Sequence, residues 1–254
     1  MSEMLEVLDL VKNYRDFCAV DRLSFVVKPG EIVGLLGPNG AGKTTALRCI
    51  AGILRPSDGR IIINGFDSAF QYKQAKGGMA FVPELPSLYE LLTVDEHLKF
   101  IAMCYGTVDL YHKHGDGLLE RYDLIEKKGE LVATLSKGMR QKLSVACAMV
   151  HQANVLLFDE PLIGVDPQGA HEIKQDMLQA KAAGCSVLVS THLLDTAEKL
   201  CDRVLIMRKG RKVAEGTAAE LREQSHMSGS TLEEVFLKLT AEENDAASSS
   251  ANLP

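Results

Sequence analysis

The residues with the most chemistry per position are Gly37-Pro38-Asn39-Gly40-Ala41-Gly42-Lys43-Thr44-Thr45. Without side chains at Gly37, Gly40 and Gly42, the backbone can aim its N–H groups at phosphate oxygens from close range. A helix opening at the end of the run adds its N-terminus to the same anion site. Lys43 then reaches the outer phosphates of a nucleotide, and the Thr44 hydroxyl is a Mg²⁺ ligand. Further along, Val155-Leu156-Leu157-Phe158 ends in the acids Asp159-Glu160. Carboxylates at the C-terminal edge of a parallel strand lie where nucleotides bind in such sheets, so this pair reads as a metal and water site.

The elements that must position these groups show as apolar patterns. Ile32 to Leu36 reads as a buried strand delivering the chain to the phosphate loop, and Ala46, Leu47, Ile50 and Ala51 have the spacing of the helix beyond it. Upstream, Leu5 and Val7 suggest one strand and Leu23 to Val27 a second, which ends at Pro29-Gly30. Tyr14 sits on the polar connection between them, where its ring either stacks on a purine or packs as a surface tyrosine. Ser57-Asp58-Gly59 and Asn64-Gly65 bracket Ile61-Ile62-Ile63 as a hairpin strand, and Met79 to Val82 predicts another, closed by Pro83.

The pattern then turns helical. Thr93-Val94-Asp95-Glu96 is a capping box, followed at helical spacing by Leu98, Ile101, Ala102 and Tyr105. A polar link containing His112-Lys113-His114-Gly115 leads to a helix through Leu118, Leu119 and Tyr122. Ser136 caps a third helix carrying Met139, Leu143, Ala146 and Val150 on one face. Residues 84–150 thus read as a helical insertion. Asp166-Pro167 opens the next helix, through Ile173 and Met177 to Gly184. The strand Cys185 to Ser190 runs out at Thr191-His192, and Val204 to Met207 is the last strand predicted. Thr217 to Glu220 is a second capping box, and Leu232, Val235, Phe236 and Leu239 share one helical face. Residues 241–254, almost without large apolar side chains, are predicted disordered.

The whole chain bounds the reading. Its 254 residues, 46% hydrophobic, suffice for one α/β domain spanning 1–240. A formal charge of −6 argues against an extended nucleic-acid surface. The six cysteines are scattered among apolar neighbours, as small buried residues of a reducing compartment would be. The N-terminus is acidic where a leader would be basic, and no apolar run approaches ~18 residues, so the expected location is cytoplasmic.

Four elements together resemble the nucleotide-binding subunit of ATP-binding cassette transporters, over about Leu5 to Thr240. They are the phosphate loop, Leu135-Ser136-Lys137-Gly138-Met139 in place of the LSGGQ signature, the strand Val155 to Asp159 with Glu160, and Ser190-Thr191-His192 in place of the histidine switch. The resemblance implies a P-loop NTPase core with a mixed, largely parallel sheet, an N-terminal antiparallel β subdomain and an inserted helical subdomain. It implies ATP and Mg²⁺, with Thr44 and Asp159 at the metal, Glu160 as general base or water positioner, His192 at the γ-phosphate and Tyr14 on the adenine. Glu84 stands where the family has a metal-contacting glutamine, Lys137 replaces a signature glycine, and Asp166 matches a cross-dimer aspartate. Ser136 and Gly138 are the signature contacts that transfer to the ATP of a second nucleotide-binding subunit, identical or related. The implied partner is a separate transmembrane subunit, with this chain peripheral at the cytoplasmic face and export as the direction. A non-transport assembly ATPase is the competing expectation.

Overall fold

The computed structural model describes residues 4–227 and 229–249. The chain opens with a long hairpin, β1 (Leu5–Tyr14) and β2 (Phe17–Val27), then enters β3 (Ile32–Leu36), the phosphate loop and α1 (Lys43–Ile50). It continues through β4 (Asp58–Ile63), β5 (Phe66–Asp67), α2 (Tyr72–Gly77) and β6 (Met79–Val82). Three helices follow, α3 (Val94–Tyr105), α4 (Val108–Arg121) and α5 (Lys137–His151), before β7 (Val155–Asp159). The remainder is α6 (Pro167–Ala182), β8 (Ser186–Ser190), α7 (Leu194–Leu200), β9 (Arg203–Arg208), β10 (Arg211–Gly216), α8 (Ala218–Gln224) and α9 (Leu232–Ser249).

Two sheets result. The larger has the order β10-β9-β3-β8-β7-β6, parallel except for the antiparallel edge strand β10. Strands β3, β7 and β8 are buried along their whole length, which is why they read as unbroken apolar runs and not as alternations. The smaller sheet, β2-β1-β4-β5, is antiparallel.

The alternation of side chains across β7 divides the core. Val155 and Leu157 join α1 residues Ala46, Leu47 and Ile50 and the small sheet's Val7, Leu23 and Ile61, so α1 lies between the two sheets. Leu156 and Phe158 face the other way, onto α5 and α6 through Leu143, Ala146, Ile173 and Met177. The insertion helices share that second core through Leu98, Leu119 and Tyr122. Among its buried polar groups, Asp176 of α6 accepts from the Tyr122 hydroxyl and the Arg121 guanidinium at the end of α4. A third cluster seats the C-terminal helices on Leu36, Val204 and Ile206, with Leu232 and Val235 buried and Phe236 and Leu239 packed beside them.

The capping predictions hold at α3, α5, α6 and α8, where Thr93, Ser136, Asp166 and Thr217 each accept from a first-turn N–H. Other expectations are corrected. His112 to Gly115 is not a loop but part of α4, because Gly115 packs against the ring of Tyr111 and takes the buried side of the helix. Cys18 and Cys104 are exposed rather than buried. α9 continues through Ser249, so residues 241–249 are helical: Ala and Glu, poor at making a core, are good at continuing a helix already docked at Leu232 and Val235. Residues 250–254 of the tail lie outside the described residues. β10, α2 and α7 were not anticipated; each is short and takes its shape from the sheet it packs on.

Candidate nucleotide site

The phosphate loop joins the C-terminal end of β3 to α1. Gly42 is the cap of α1 and adopts φ 103°, a left-handed conformation; a Cβ there would stand 2.4 Å from the Ala19 carbonyl oxygen. Only glycine fits, and the helix consequently starts without a side-chain cap, leaving its first N–H groups to another acceptor. Around this turn lies a cleft of about 250 Å³, lined by Phe17, residues 39–45, Glu84 and Glu160. Lys43 is 93% buried, and its amine donates to the carbonyls of Gly37 (2.5 Å) and Pro38 (3.3 Å). Burial pulls its pKa down, opposed by the nearby carboxylates Glu160, Asp159 and Glu84.

The acidic side of the site comes from the neighbouring strands. β3 pairs with β8 and β8 with β7, so the ends of three strands meet beside the loop. Asp159 Oδ1 accepts from the Thr44 hydroxyl (3.1 Å) and from the Ser190 hydroxyl (2.6 Å). The Ser190 oxygen in turn accepts from the Glu160 N–H (3.1 Å), which also points at the Ser190 carbonyl. Glu160 turns off the strand with φ 47°, unusual for a residue with a Cβ, and this turn aims its carboxylate back at the cleft. His192, half-exposed at the end of β8, places Nδ1 3.0 Å from Glu160 Oε2, so that nitrogen carries the proton it donates. Lys43, Thr44, Asp159, Glu160 and His192 are therefore gathered in one place, with Glu84 at the rim of the cleft. Ser190 is the member whose role sequence reasoning missed: its hydroxyl is fully buried directly across from Asp159, a register that the sequence alone does not give.

Three candidates stand elsewhere. Ser136 caps α5, its hydroxyl accepting from Met139 N–H at 3.3 Å, and is exposed. Gly138 lies against the loop before α6: a Cβ would come within 2.6 Å of the Gly164 carbonyl oxygen. Asp166 caps α6 and is bonded by Lys142 of α5 at 2.6 Å, a buried amine that holds the carboxyl below its usual range. These three form a second group on the α5–α6 junction and do not line the cleft. Tyr14 ends β1 with Lys12 Nζ 5.1 Å from its ring centre, and Phe17, its partner across the hairpin, lines the cleft.

A glycine-cradled phosphate loop between the ends of parallel strands, with a buried amine and adjoining acids, defines a P-loop nucleotide hydrolase. The family model described as ABC transporter matches residues 20–163. The chain is 39% identical over 241 residues to the ABC-type transporter ATP-binding protein EcsA of Bacillus subtilis (strain 168), covering 94% of this chain and 98% of that one. It is 37% identical over 234 residues to the Nod factor export ATP-binding protein I of Ralstonia nicotianae, covering 92% and 72%. Among solved structures, an ATP-binding subunit of an ABC transporter superposes with a TM-score of 0.89 at 38% identity, covering 93% of this chain and 99% of the other. The cbiO1 subunit from Clostridium perfringens superposes at 0.72 with 28% identity, covering 88% and 92%. The chain belongs to the ABC transporter family, as its ATP-binding and ATP-hydrolysing subunit. The similar cbiO1 subunit is part of an ABC transporter complex, cbiONQ, and among the described residues of this chain no helix is long and apolar enough to cross a membrane.

Proposed function

We propose that the cleft hydrolyses ATP through Glu160 and that two chains must close face to face for it to do so. The observation that carries this is the hydrogen-bonded line from Thr44 through Asp159 and Ser190 to Glu160 and His192. Lys43 exchanges its loop carbonyls for phosphate oxygens, recovering for a desolvated amine a better counter-charge than two neutral acceptors provide. Thr44 and Asp159, two oxygen donors already in contact, suit Mg²⁺, with Glu84 at the cleft rim as a further carboxylate; the ion would neutralise phosphate charge when bound. Glu160 takes a proton from water as its oxygen bonds to the γ-phosphorus and the bond to the bridging β–γ oxygen breaks, releasing ADP and phosphate. His192 orients that carboxylate and faces the γ-phosphate. The base lies against the Tyr14–Phe17 hairpin end.

Ser136, exposed at the start of α5, and Gly138 two residues on cap the ATP of the second subunit, and Asp166 approaches the other chain from the α6 cap. In this reading residues 1–240 act as one cassette and 84–150 as its helical insertion. A groove of about 380 Å³ between that insertion and β6, lined by Ile53, Leu85, Leu88, Tyr89, Ile101 and Tyr105 among others, receives a helix of the transmembrane partner at the cytoplasmic face. Export is the direction favoured, since the similar chain from Ralstonia is named for export.

The experiment is phosphate release and light scattering on wild type and Glu160→Gln. The variant is expected to bind Mg-ATP, form a stable dimer and stop releasing phosphate. A Glu160→Gln chain that hydrolysed at the wild-type rate would remove Glu160 from the mechanism; one that bound Mg-ATP but stayed monomeric with its membrane partner present would remove the closed pair. Leu88→Glu should release the transmembrane partner, and unchanged partner binding and stimulated ATPase would overturn the docking groove.

A further inference from the structure

Away from the nucleotide cleft, the segment from Arg48 to Lys76 is net basic in an acidic chain. It carries five cations, Arg48, Arg55, Arg60, Lys73 and Lys76, and two acids, Asp58 and Asp67, in a chain of formal charge −6. Asp67 is nearly buried and already held by Arg60 at 2.9 Å, whereas Arg55, Lys73 and Lys76 make no ion pair among the described residues. Between the end of α1, β4 and α2 opens a cleft of about 740 Å³. Its floor includes the buried side chains of Ile61, Ile63 and Ala75, and its lining includes Arg55, Arg60 and Lys76. The Lys76 stem lies across the end of α1, within 2.9 Å of where a Cβ on Gly52 would be.

The aromatic residues beside this cleft are as unusual as the charge. Phe70 is 86% exposed and Tyr72, which lines the cleft one helical turn before Lys76, is 55% exposed. A phenyl ring left almost wholly in water buries nothing in the folded chain, so its burial comes from something the chain meets. Aromatic rings set among unpaired cations are what an interface between water and an anionic bilayer favours: the rings enter the headgroup layer and the cations gain from its negative potential. In a chain of formal charge −6, a net basic face with cations free of ion pairs among the described residues is favoured for contact with such a layer over acidic ones.

The position of the face agrees. Ile53, itself 59% exposed, lines both this cleft and the groove assigned to the transmembrane partner. The cleft therefore adjoins the side on which a membrane-embedded partner sits, an orientation that rests on the docking reading above. We propose that the face formed by Arg55, Lys76, Phe70 and Tyr72 binds anionic phospholipid headgroups, seating the cassette against the bilayer beside its partner.

The test is co-sedimentation of the full chain, without its partner, on vesicles of phosphatidylcholine alone and of phosphatidylcholine mixed with phosphatidylglycerol. Binding is expected only to the mixed vesicles, and to fall as salt rises from ~0.1 M to ~1 M and the screening length shrinks from ~10 to ~3 Å. Arg55→Glu with Lys76→Glu should weaken it by roughly tenfold or more, and Phe70→Ser by a smaller factor. Both variants should keep wild-type basal ATPase activity, since none of the three residues lines the nucleotide cleft. Failure to bind mixed vesicles, equal binding to both vesicle types, or an unchanged charge-reversal variant would overturn the proposal. So would release by inorganic phosphate at matched ionic strength, which would make the cleft a site for soluble anions. Because the partner is absent from the assay, any of these leaves the docking groove standing, and loss of the groove through Leu88→Glu leaves lipid binding unchanged.

Discussion

Two helix N-termini of the described residues, those of α1 and α5, are built in opposite ways. α3, α4, α7, α8 and α9 carry acids in their first turn, whereas α1, α2, α5 and α6 carry none; α6 is capped by the Asp166 carboxylate and α2 spans only six residues, which leaves α1 and α5 as the longer described helices with an uncompensated positive end. At α1 that end is concave, capped by a left-handed glycine, and surrounded by a buried amine and the acids of two other elements. At α5 it is exposed, capped by its own Ser136, with Lys137 beside it and none of the groups that could activate water. A phosphate can be bound at the first and at most contacted at the second. On the proposed face-to-face pairing, the difference lets one chain supply both halves of a shared site, the complete half folded into the sheet and the incomplete half exposed on its surface.

The strongest test of that contrast is Glu160→Gln, which removes the proton acceptor from the complete half. Turnover should fall by roughly 100-fold or more with ATP affinity nearly intact, measured by phosphate release and equilibrium binding. Lys43→Ala should instead act on binding, weakening ATP by roughly ten- to a hundredfold, because a charge-assisted contact to phosphate is lost. At the other helix, Ser136→Ala should leave ATP affinity of the single chain unchanged and lower turnover by about fivefold, the worth of one ordinary hydrogen bond. If Ser136→Ala reduced affinity as Lys43→Ala does, the division into complete and incomplete halves would be wrong. Ser190→Ala sharpens the first half from within. It deprives Asp159 of one donor and Glu160 N–H of one acceptor, and should reduce the Mg²⁺ dependence of nucleotide binding by several-fold while Ser190→Thr restores it.

The smallest expected effect is on stability. His97 and His151 lie between the insertion and the sheet, both with pKa values pulled below 6.5 by burial. His97 lies near Cys147 Sγ (3.5 Å) and the ring of Tyr89; His151 shares a hydrogen bond with the Gly77 carbonyl and stacks on Tyr105. Folded and unfolded chains bind the same number of protons well above pH 6.5. As pH falls through 6.5, the unfolded histidines take up protons first, so folding stability drops until the lower folded pKa values are reached. The melting temperature should therefore decline between about pH 7.5 and 5.5, and His97→Gln should flatten that decline.

How far the site was legible depended on whether its parts were local. The phosphate loop is a contiguous run whose glycines answer a backbone need, and Gly42 meets that need against Ala19. The acids Asp159-Glu160 were legible because an apolar strand ended on them. The Thr93, Ser136, Asp166 and Thr217 caps could be read because each serves an N–H three residues away. Phe17 at the cleft was not legible, because which end of a hairpin turn reaches the loop depends on how the hairpin sits against it. The histidine-containing turn of α4 was misread because glycine usually interrupts helices, yet Gly115 here makes room for Tyr111.

By itself the sequence determined which groups could handle phosphate, the order of strand, loop and helix around them, and the boundaries that local hydrogen bonds set. Those depend on short-range backbone chemistry, which a run of a few residues carries. Only the tertiary structure decided that Ser190 bridges Asp159 and the Glu160 backbone, that Lys142 ties Asp166 to α5, and that Phe70 stands in water beside unpaired cations. Each of these joins segments set by sheet register or helix packing, and that register comes from burial of the whole core.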